Sequence, residues 1–336
     1  MATSFESYLN RNSRRMDRLV ADFFKQGSAP DMTRYLYDPL ARYSANGGKR
    51  HRPLICELAC QAVGGDAVRA RSAGAAIEHF HTAALIHDDI ADESTLRRGR
   101  PCMHLTLGEG LAINAGDLAL SQVTGLIVED GHLDDGVKLR VLDELVKMTT
   151  RTVEGQALDI GWVRDGRFDI SVDDYLLMAT HKTAYYSGGT PLAVGAIVGG
   201  GTGAEVEALR AFGLATGLAF QIQDDILNLV GKKEAVKKDF RSDIVEGKRT
   251  LVAVHAIAHS PHSAGLYAIL SAHTDEPGVL AQAVDIMREA GSLDFARGYA
   301  LELVNEAKAA LAPVLRPGTQ RDLLLSMADF FVNRMH

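Results

Sequence analysis

A chain of 336 residues that is 46% hydrophobic and 24% charged has material for a large core, and its formal charge of −7 argues against a nucleic-acid partner. The three cysteines, Cys56, Cys60 and Cys102, lack the paired spacing of a metal site, so buried thiols in a reducing compartment are expected. The N-terminus has no apolar signal core and the longest weakly apolar run, Leu192 to Val198, falls far short of the roughly 20 residues that span a bilayer, which predicts a soluble cytoplasmic protein without a transmembrane segment.

Helical periodicity dominates and no strand alternation stands out. The spacing predicts helices over residues 5–26, 31–44, 50–63, 67–93, 105–129, 134–162, 172–198, 203–230, 249–259, 264–272, 276–290, 293–312 and 319–335. Turns such as Gly64-Gly65, Ser260-Pro261 and Pro317-Gly318 separate them. Ser171 with Asp174, and Thr202 with Glu205, have the spacing of capping boxes at two helix starts. No linker composition divides the chain and no repeat period appears. The expected fold class is all-α: one domain over 1–336, a bundle of long helices around a central cavity.

Charged motifs punctuate these helices. Gly47-Gly48-Lys49-Arg50-His51-Arg52-Pro53 sets three cations after a glycine turn and at a helix start, where backbone N–H groups, the helix dipole and forked guanidinium donors suit an anion. The apolar, alanine-rich run from Ala73 to Ile86 leads into His87-Asp88-Asp89-Ile90-Ala91-Asp92-Glu93, with Arg97 and Arg98 on the loop that follows. Asp88 and Asp92 fall at i and i+4 on one helical face, with Asp89 beside them. Two carboxylates about 6 Å apart repel by about 3 kcal/mol at an effective dielectric of about 20, and a helix C-terminus adds to the penalty. Taken alone, such acids also suit a solvated helix end neutralised by nearby arginines. A second acidic pair decides between the readings: Gln221-Ile222-Gln223-Asp224-Asp225-Ile226-Leu227-Asn228 also ends an apolar helical run. Two carboxylate clusters on two helices, able to face each other across a cavity, suggest a magnesium–diphosphate site, because Mg²⁺ takes few protein carboxylates and fills its remaining positions with water and phosphate oxygens. Lys182-Thr183 lies within a helical stretch, and Lys238 and Lys248 lie on a polar segment that is a candidate lid or an ordinary charged loop.

In this order the motifs resemble those of the trans-isoprenyl diphosphate synthases, the polyprenyl synthetase family. The resemblance runs from about Gly47 to Ala258. It implies that Asp88, Asp92 and Asp224 are direct ligands of several Mg²⁺ ions, with Asp89 and Asp225 supporting them. Arg97, Lys182, Lys238 and Lys248 are implied to hold the allylic diphosphate, and Lys49, Arg52, His81 and Arg98 the isopentenyl diphosphate head group. Thr183, Gln221 and the Lys182 carbonyl would face the developing allylic cation. The family's chemistry ionises a C–O bond and needs charge stabilisation on the leaving group rather than a protein nucleophile. No catalytic Ser, Cys or His is therefore expected, and His87 is read as a core histidine. Homodimers are usual in the family. Two departures stand out: Asn228 replaces the commonest third aspartate of the second motif, and Lys237-Lys238-Asp239-Phe240-Arg241 lacks the usual glycines.

Product length is read from the helix that leads into Asp88. In the family, a large aromatic residue four or five positions before the first aspartate stops growth at farnesyl. Here those positions hold Ala84 and Ala83, and Phe80, one turn deeper, is the first bulky side chain on a line that could face the pocket, or else plain core packing. The expected product is geranylgeranyl diphosphate, with a longer polyprenyl chain as the alternative. A terpene cyclase or irregular coupling enzyme on the same frame would keep the metal site but need not keep the isopentenyl pocket.

Overall fold

The computed structural model describes residues 4–231 and 240–333. Among them the chain is helical apart from turns and one two-residue-per-strand hairpin, Leu96–Arg97 with Arg100–Pro101. The chain divides into two compact units: Met1–Thr149, Tyr186–Gly213 and Ala310–Met327 form the first, and Thr150–Tyr185, Leu214–Ala309 and Ala328–His336 the second. No linker marks the division, since its boundaries at 149/150, 213/214 and 309/310 fall inside helices.

In the first unit the Arg71–Ala91 helix is the centre of the packing. Its small residues, Ala73, Ala75, Ala76 and Ala83, and its larger ones, Ile77, Phe80 and Ile86, are all buried. It packs against the Glu109–Val128, His51–Ala62 and Thr190–Val198 helices. Thr190–Val198 is buried at every position, as expected of a helix with no polar face. It approaches the His51–Ala62 helix so closely that a Cβ at Gly195 would collide with the Cys56 carbonyl oxygen. Each buried leucine or isoleucine of this core contributes about 1.5–3 kcal/mol. Cys56, Cys60 and Cys102 are all buried thiols. The Glu109–Val128 helix is long and apolar enough to cross a membrane by length and composition, but 44% of its apolar window is buried in this unit.

In the second unit, Tyr175, Ile222, Ile226, Leu251, Val252 and Leu266 form part of the interior. The capping box at Ser171 closes with Asp174, starting the helix that presents Tyr175. The predicted 172–198 helix is present but not uniform: Val172–Ala179 gives way to a π-helical stretch, Thr180–Gly189, before Thr190–Val198. The predicted 67–93 helix likewise begins as a 3₁₀ turn, Ala67–Ala70, and ends at Ala91 with Asp92 as its cap.

Candidate active site

In the first unit, cations gather around the glycine turn. Gly47 and Gly48 have φ of +95° and +146°, and Arg50, at +49°, begins the His51–Ala62 helix. Arg50 is fully engaged below the turn: Nε donates to Asp17 at 2.9 Å, Nη1 to Glu78 at 2.8 Å and Nη2 to the Ser44 carbonyl at 2.5 Å. It therefore braces the motif. A Cβ at Gly48 would lie 3.0 Å from an Arg98 guanidinium nitrogen, so only glycine leaves that guanidinium its full room against the turn. Burial and the charge of Arg50 push the Arg98 pKa down, the signature of a cation among cations. Arg52, buried, donates through Nη2 to Ser187 at 2.9 Å and lies 4.7 Å from the Tyr186 ring centroid. Its Nε, like Nδ1 of His81, is buried and has no hydrogen-bond partner among the described residues. Burial together with the Arg52 and Arg98 charges pushes the His81 pKa well down, leaving a neutral ring. Lys49 is exposed at the same turn. Clustered guanidinium groups with unsatisfied buried nitrogens suit a diphosphate.

The first acidic motif sorts into two kinds of carboxylate. Asp89 is 1% exposed and saturated: Tyr43 donates to Oδ2 at 2.6 Å and Arg97 Nε to Oδ1 at 2.7 Å, with a second Arg97 nitrogen also in contact. Asp88 and Asp92 are half-buried, one helical turn apart, joined by the Asp92 N–H bond to the Asp88 carbonyl. The loop expected for Arg97 and Arg98 is a tight hairpin. Arg98 and Gly99, with φ of +55° and +75°, form its two-residue turn, as a hairpin of this twist requires. His87 is not the core residue expected from sequence. It lies half exposed over Gly116, 3.6 Å from Asp117, because its position on the Arg71–Ala91 helix faces outward where a glycine leaves space for the ring. Phe80 and Ala83 are buried, Ala84 half-buried, and the Phe80 ring stands 5.8 Å from that of Tyr186.

The second unit carries the other half of the expected residues. Lys182 Nζ donates to Asp159 Oδ2 at 2.5 Å, and Lys248 Nζ reaches the same oxygen at 3.1 Å. Burial alone would raise the Asp159 pKa, but the two ammonium groups outweigh it and hold the carboxyl at about 2. Lys182 and Thr183 sit on the π-helical stretch, a widened turn often found at functional sites. The Thr183 hydroxyl donates to Gln221 Oε1 at 2.8 Å, Gln221 Nε2 donates to Asp225 Oδ1 at 2.6 Å, and the Tyr175 hydroxyl donates to Asp225 Oδ2 at 2.7 Å. Burial, then the neighbouring Asp243 charge, pushes the Asp225 pKa well up against the opposing pull of those two donors. Asp224 is half-buried beside it. Asn228 ties its helix to the start of the Ser242–Val245 helix: its amide donates to Ser242 Oγ at 3.1 Å and its oxygen accepts the Asp243 N–H at 3.3 Å. Lys238 lies outside the described residues.

Among the described residues no three His, Cys, Asp or Glu side chains form a cluster that could hold a metal by themselves. Mg²⁺ does not need one, since one or two carboxylates per ion plus substrate oxygens suffice. The hard oxygens of the half-buried Asp88, Asp92 and Asp224 fit that donor set, and Asp89 and Asp225 accept hydrogen bonds from Tyr43, Arg97, Tyr175 and Gln221. Sequence reasoning missed Asp159, Tyr43 and Tyr175. Asp159 stands alone in a helix, and its one trace is Gly155, where a Cβ would collide with the Lys182 backbone nitrogen. The aromatic hydroxyls carry no spacing signal at all.

The sequence model of the polyprenyl synthetase family matches residues 33–287. The chain belongs to the polyprenyl synthetase family. It is 38% identical over 290 residues to a short chain isoprenyl diphosphate synthase of Methanothermobacter thermautotrophicus, covering 86% of this chain and 87% of that one. The geranylgeranyl pyrophosphate synthetase of Pyrococcus horikoshii superposes with a TM-score of 0.88 at 30% identity, over 98% of this chain and 99% of that one. A geranylgeranyl pyrophosphate synthase from Corynebacterium glutamicum, solved with isoprenyl diphosphate and magnesium, also gives 0.88, at 27% identity over 97% and 99% of the two chains. For this polyprenyl synthetase family member, membership makes the all-helical frame and the isoprenyl diphosphate synthase activity firm.

Proposed function

We propose that the whole chain, 1–336, works as one isoprenyl diphosphate synthase domain that condenses isopentenyl diphosphate with an allylic diphosphate, needs several Mg²⁺ ions, and makes geranylgeranyl diphosphate as its main product. The observation that carries the isopentenyl half is the crowd of Arg50, Arg52 and Arg98 around a neutral His81. A cyclase has no need of this second anion pocket. Lys49, Arg52, His81 and Arg98 hold the isopentenyl head group, with Arg50 as the brace beneath them.

Asp88, Asp92 and Asp224 are the residues to hold Mg²⁺, which when bound neutralises charge on the allylic diphosphate. Lys182 and Lys248, drawn together by Asp159, bind the same leaving group, with Arg97 and Lys238 as further contacts. The allylic C1–O bond breaks with its electron pair leaving on diphosphate. The Thr183 hydroxyl points its hydrogen at Gln221 in a hydrogen bond, so its oxygen lone pairs are left to face the cation. The double bond of isopentenyl diphosphate then attacks C1, and the proton lost from the adjacent carbon goes to the released diphosphate. No side-chain nucleophile enters. Ala84, half-buried, leaves the start of the chain pocket without a bulky side chain and Phe80 is its first bulky wall, which supports twenty carbons rather than fifteen, while Ala83 is packed into the core beside Leu40, Tyr43 and Ile86.

A homodimer and a cytoplasmic location complete the reading. The dimer is supported by Leu139, Val146, Val153 and Ile160, exposed apolar residues at seven-residue spacing along the Asp135–Arg164 helix, which would form a seam for a second copy. The test is incubation with isopentenyl diphosphate and each allylic primer, with Mg²⁺ and with chelator, followed by product-length analysis. Geranylgeranyl diphosphate that appears only with Mg²⁺ is the expected result. Absence of any elongated product, or elongation in chelator, overturns the reading.

A further inference from the structure

We propose that Tyr186 joins the isopentenyl head-group pocket to the wall that stops the growing chain, so that one ring sets both the affinity for isopentenyl diphosphate and the product length. This rests on the function proposed above. The ring has three neighbours in the first unit. The Arg52 guanidinium lies 4.7 Å from its centroid, His81 stacks on it at 5.6 Å and 22°, and Phe80 meets it at 5.8 Å and 57°. Phe80 and His81 are consecutive on the Arg71–Ala91 helix and therefore point about 100° apart. A single ring that touches both spans two faces of that helix. On one face it supports the unsatisfied nitrogens of Arg52 and His81, and on the other it backs Phe80, which is 2% exposed.

The contacts have separable consequences. Arg52 is held at two points, the Ser187 hydroxyl at 2.9 Å and the Tyr186 face. Loss of the face leaves one point and a guanidinium that can swing, because a cation over a desolvated ring loses a sizeable attraction when the ring goes. Loss of the same ring leaves space behind Phe80, into which Phe80 or the prenyl chain moves. Truncation of Phe80 alone opens the wall while Arg52 and His81 keep their platform. Lys182 and Thr183, earlier on the same π-helical stretch, belong to the allylic half, so the allylic primer is a control within one assay.

The experiment compares wild type, Tyr186→Phe, Tyr186→Leu, Tyr186→Met and Phe80→Ala by product distribution and by separate KM values for the two substrates. Folding of each variant is checked by circular dichroism. Tyr186→Leu and Tyr186→Met should each raise the KM for isopentenyl diphosphate about tenfold. They should also extend the main product by at least one five-carbon unit and leave the primer KM within about twofold, since no primer contact is touched. Tyr186→Phe should behave as wild type, and Phe80→Ala should lengthen product without the KM change. A folded Tyr186→Leu or Tyr186→Met variant with unchanged product length or unchanged isopentenyl KM overturns the inference, as does a Tyr186→Phe variant that matches them. A wild type that makes no prenyl product defeats the functional reading instead, before any variant is compared.

Discussion

The Tyr43 hydroxyl donates to Asp89 at 2.6 Å, and that bond sets the middle acid of the first motif apart from its neighbours. With Arg97 on its other oxygen, Asp89 is a buried structural anion, while Asp88 and Asp92 remain half-buried at the helix end.

The two kinds of acid should fail differently. Asp89→Ala strands the largely buried Arg97 charge and should cost about 3–5 kcal/mol of stability. Asp88→Ala should leave the melting temperature nearly unchanged but reduce turnover a hundredfold or more, about 3 kcal/mol of transition-state stabilisation. Thermal melts and steady-state rates in saturating Mg²⁺ check both, and near-normal turnover of Asp88→Ala would sink the metal-ligand assignment.

The diphosphate pockets should separate kinetically. Arg52→Ala should raise the KM for isopentenyl diphosphate at least about tenfold, as expected when a buried charged contact worth about 1.5–3 kcal/mol is lost, and leave the allylic KM near wild type. Lys182→Ala should do the reverse. If both variants weaken the same substrate, the division of the cations is wrong.

His79 and Asp159 should each withdraw stability as pH falls, in separate windows, while Asp225, whose carboxyl burial pushes up, works in the opposite sense. Burial holds His79 at about 4 against an ordinary 6.5, so its native form binds fewer protons than the unfolded chain between those values. Its contribution, of the order of 3 kcal/mol, is complete above pH 6.5 and lost as pH falls toward 4. Asp159, held at about 2 against 3.8, contributes on the order of 2 kcal/mol that is present above pH 3.8 and lost as pH falls toward 2. Urea unfolding at pH 7, 4 and 2 should show both stages. His81, also held well down, titrates in the same window, so His79→Gln should reduce the first stage without abolishing it and spare the second, and an undiminished first stage in that variant would show that His79 does not contribute.

Product length should respond at two depths of one helix. Ala84→Phe should shorten the product to farnesyl, and Phe80→Ala should lengthen it at about 3–5 kcal/mol of stability, so the second variant is best assayed cold. A wild-type product that already stops at farnesyl would place the wall on another element.

Much of this was legible from the chain alone. The 3.6-residue periodicity located nearly every helix, because long amphipathic segments signal their buried face directly. The acidic pairs and the Gly47-Gly48 motif were readable because their chemistry is local in sequence. What escaped depends on neighbours far along the chain. Tyr43 meets Asp89 across 46 residues, and Asp159 meets Lys248 across 89. The π-helical widening at Thr180–Gly189 was also hidden, since its residues carry no periodicity that separates i+5 from i+4 bonding. The Arg98-Gly99 hairpin was missed because strands of two residues are too short to alternate. His87 was misjudged because Gly116, 29 residues away, decides whether its ring is covered.

The close approach at Gly155 bears on how such an enzyme can diversify. Any side chain there would drive the helix into the Lys182 backbone and displace the ammonium that Asp159 holds. Ala84, by contrast, sits half-buried. On the product-length role proposed for Ala84, a lineage can drift between products through small steps at 84 while 155 stays frozen, and a randomised library at both positions should return many solutions at the first and one at the second.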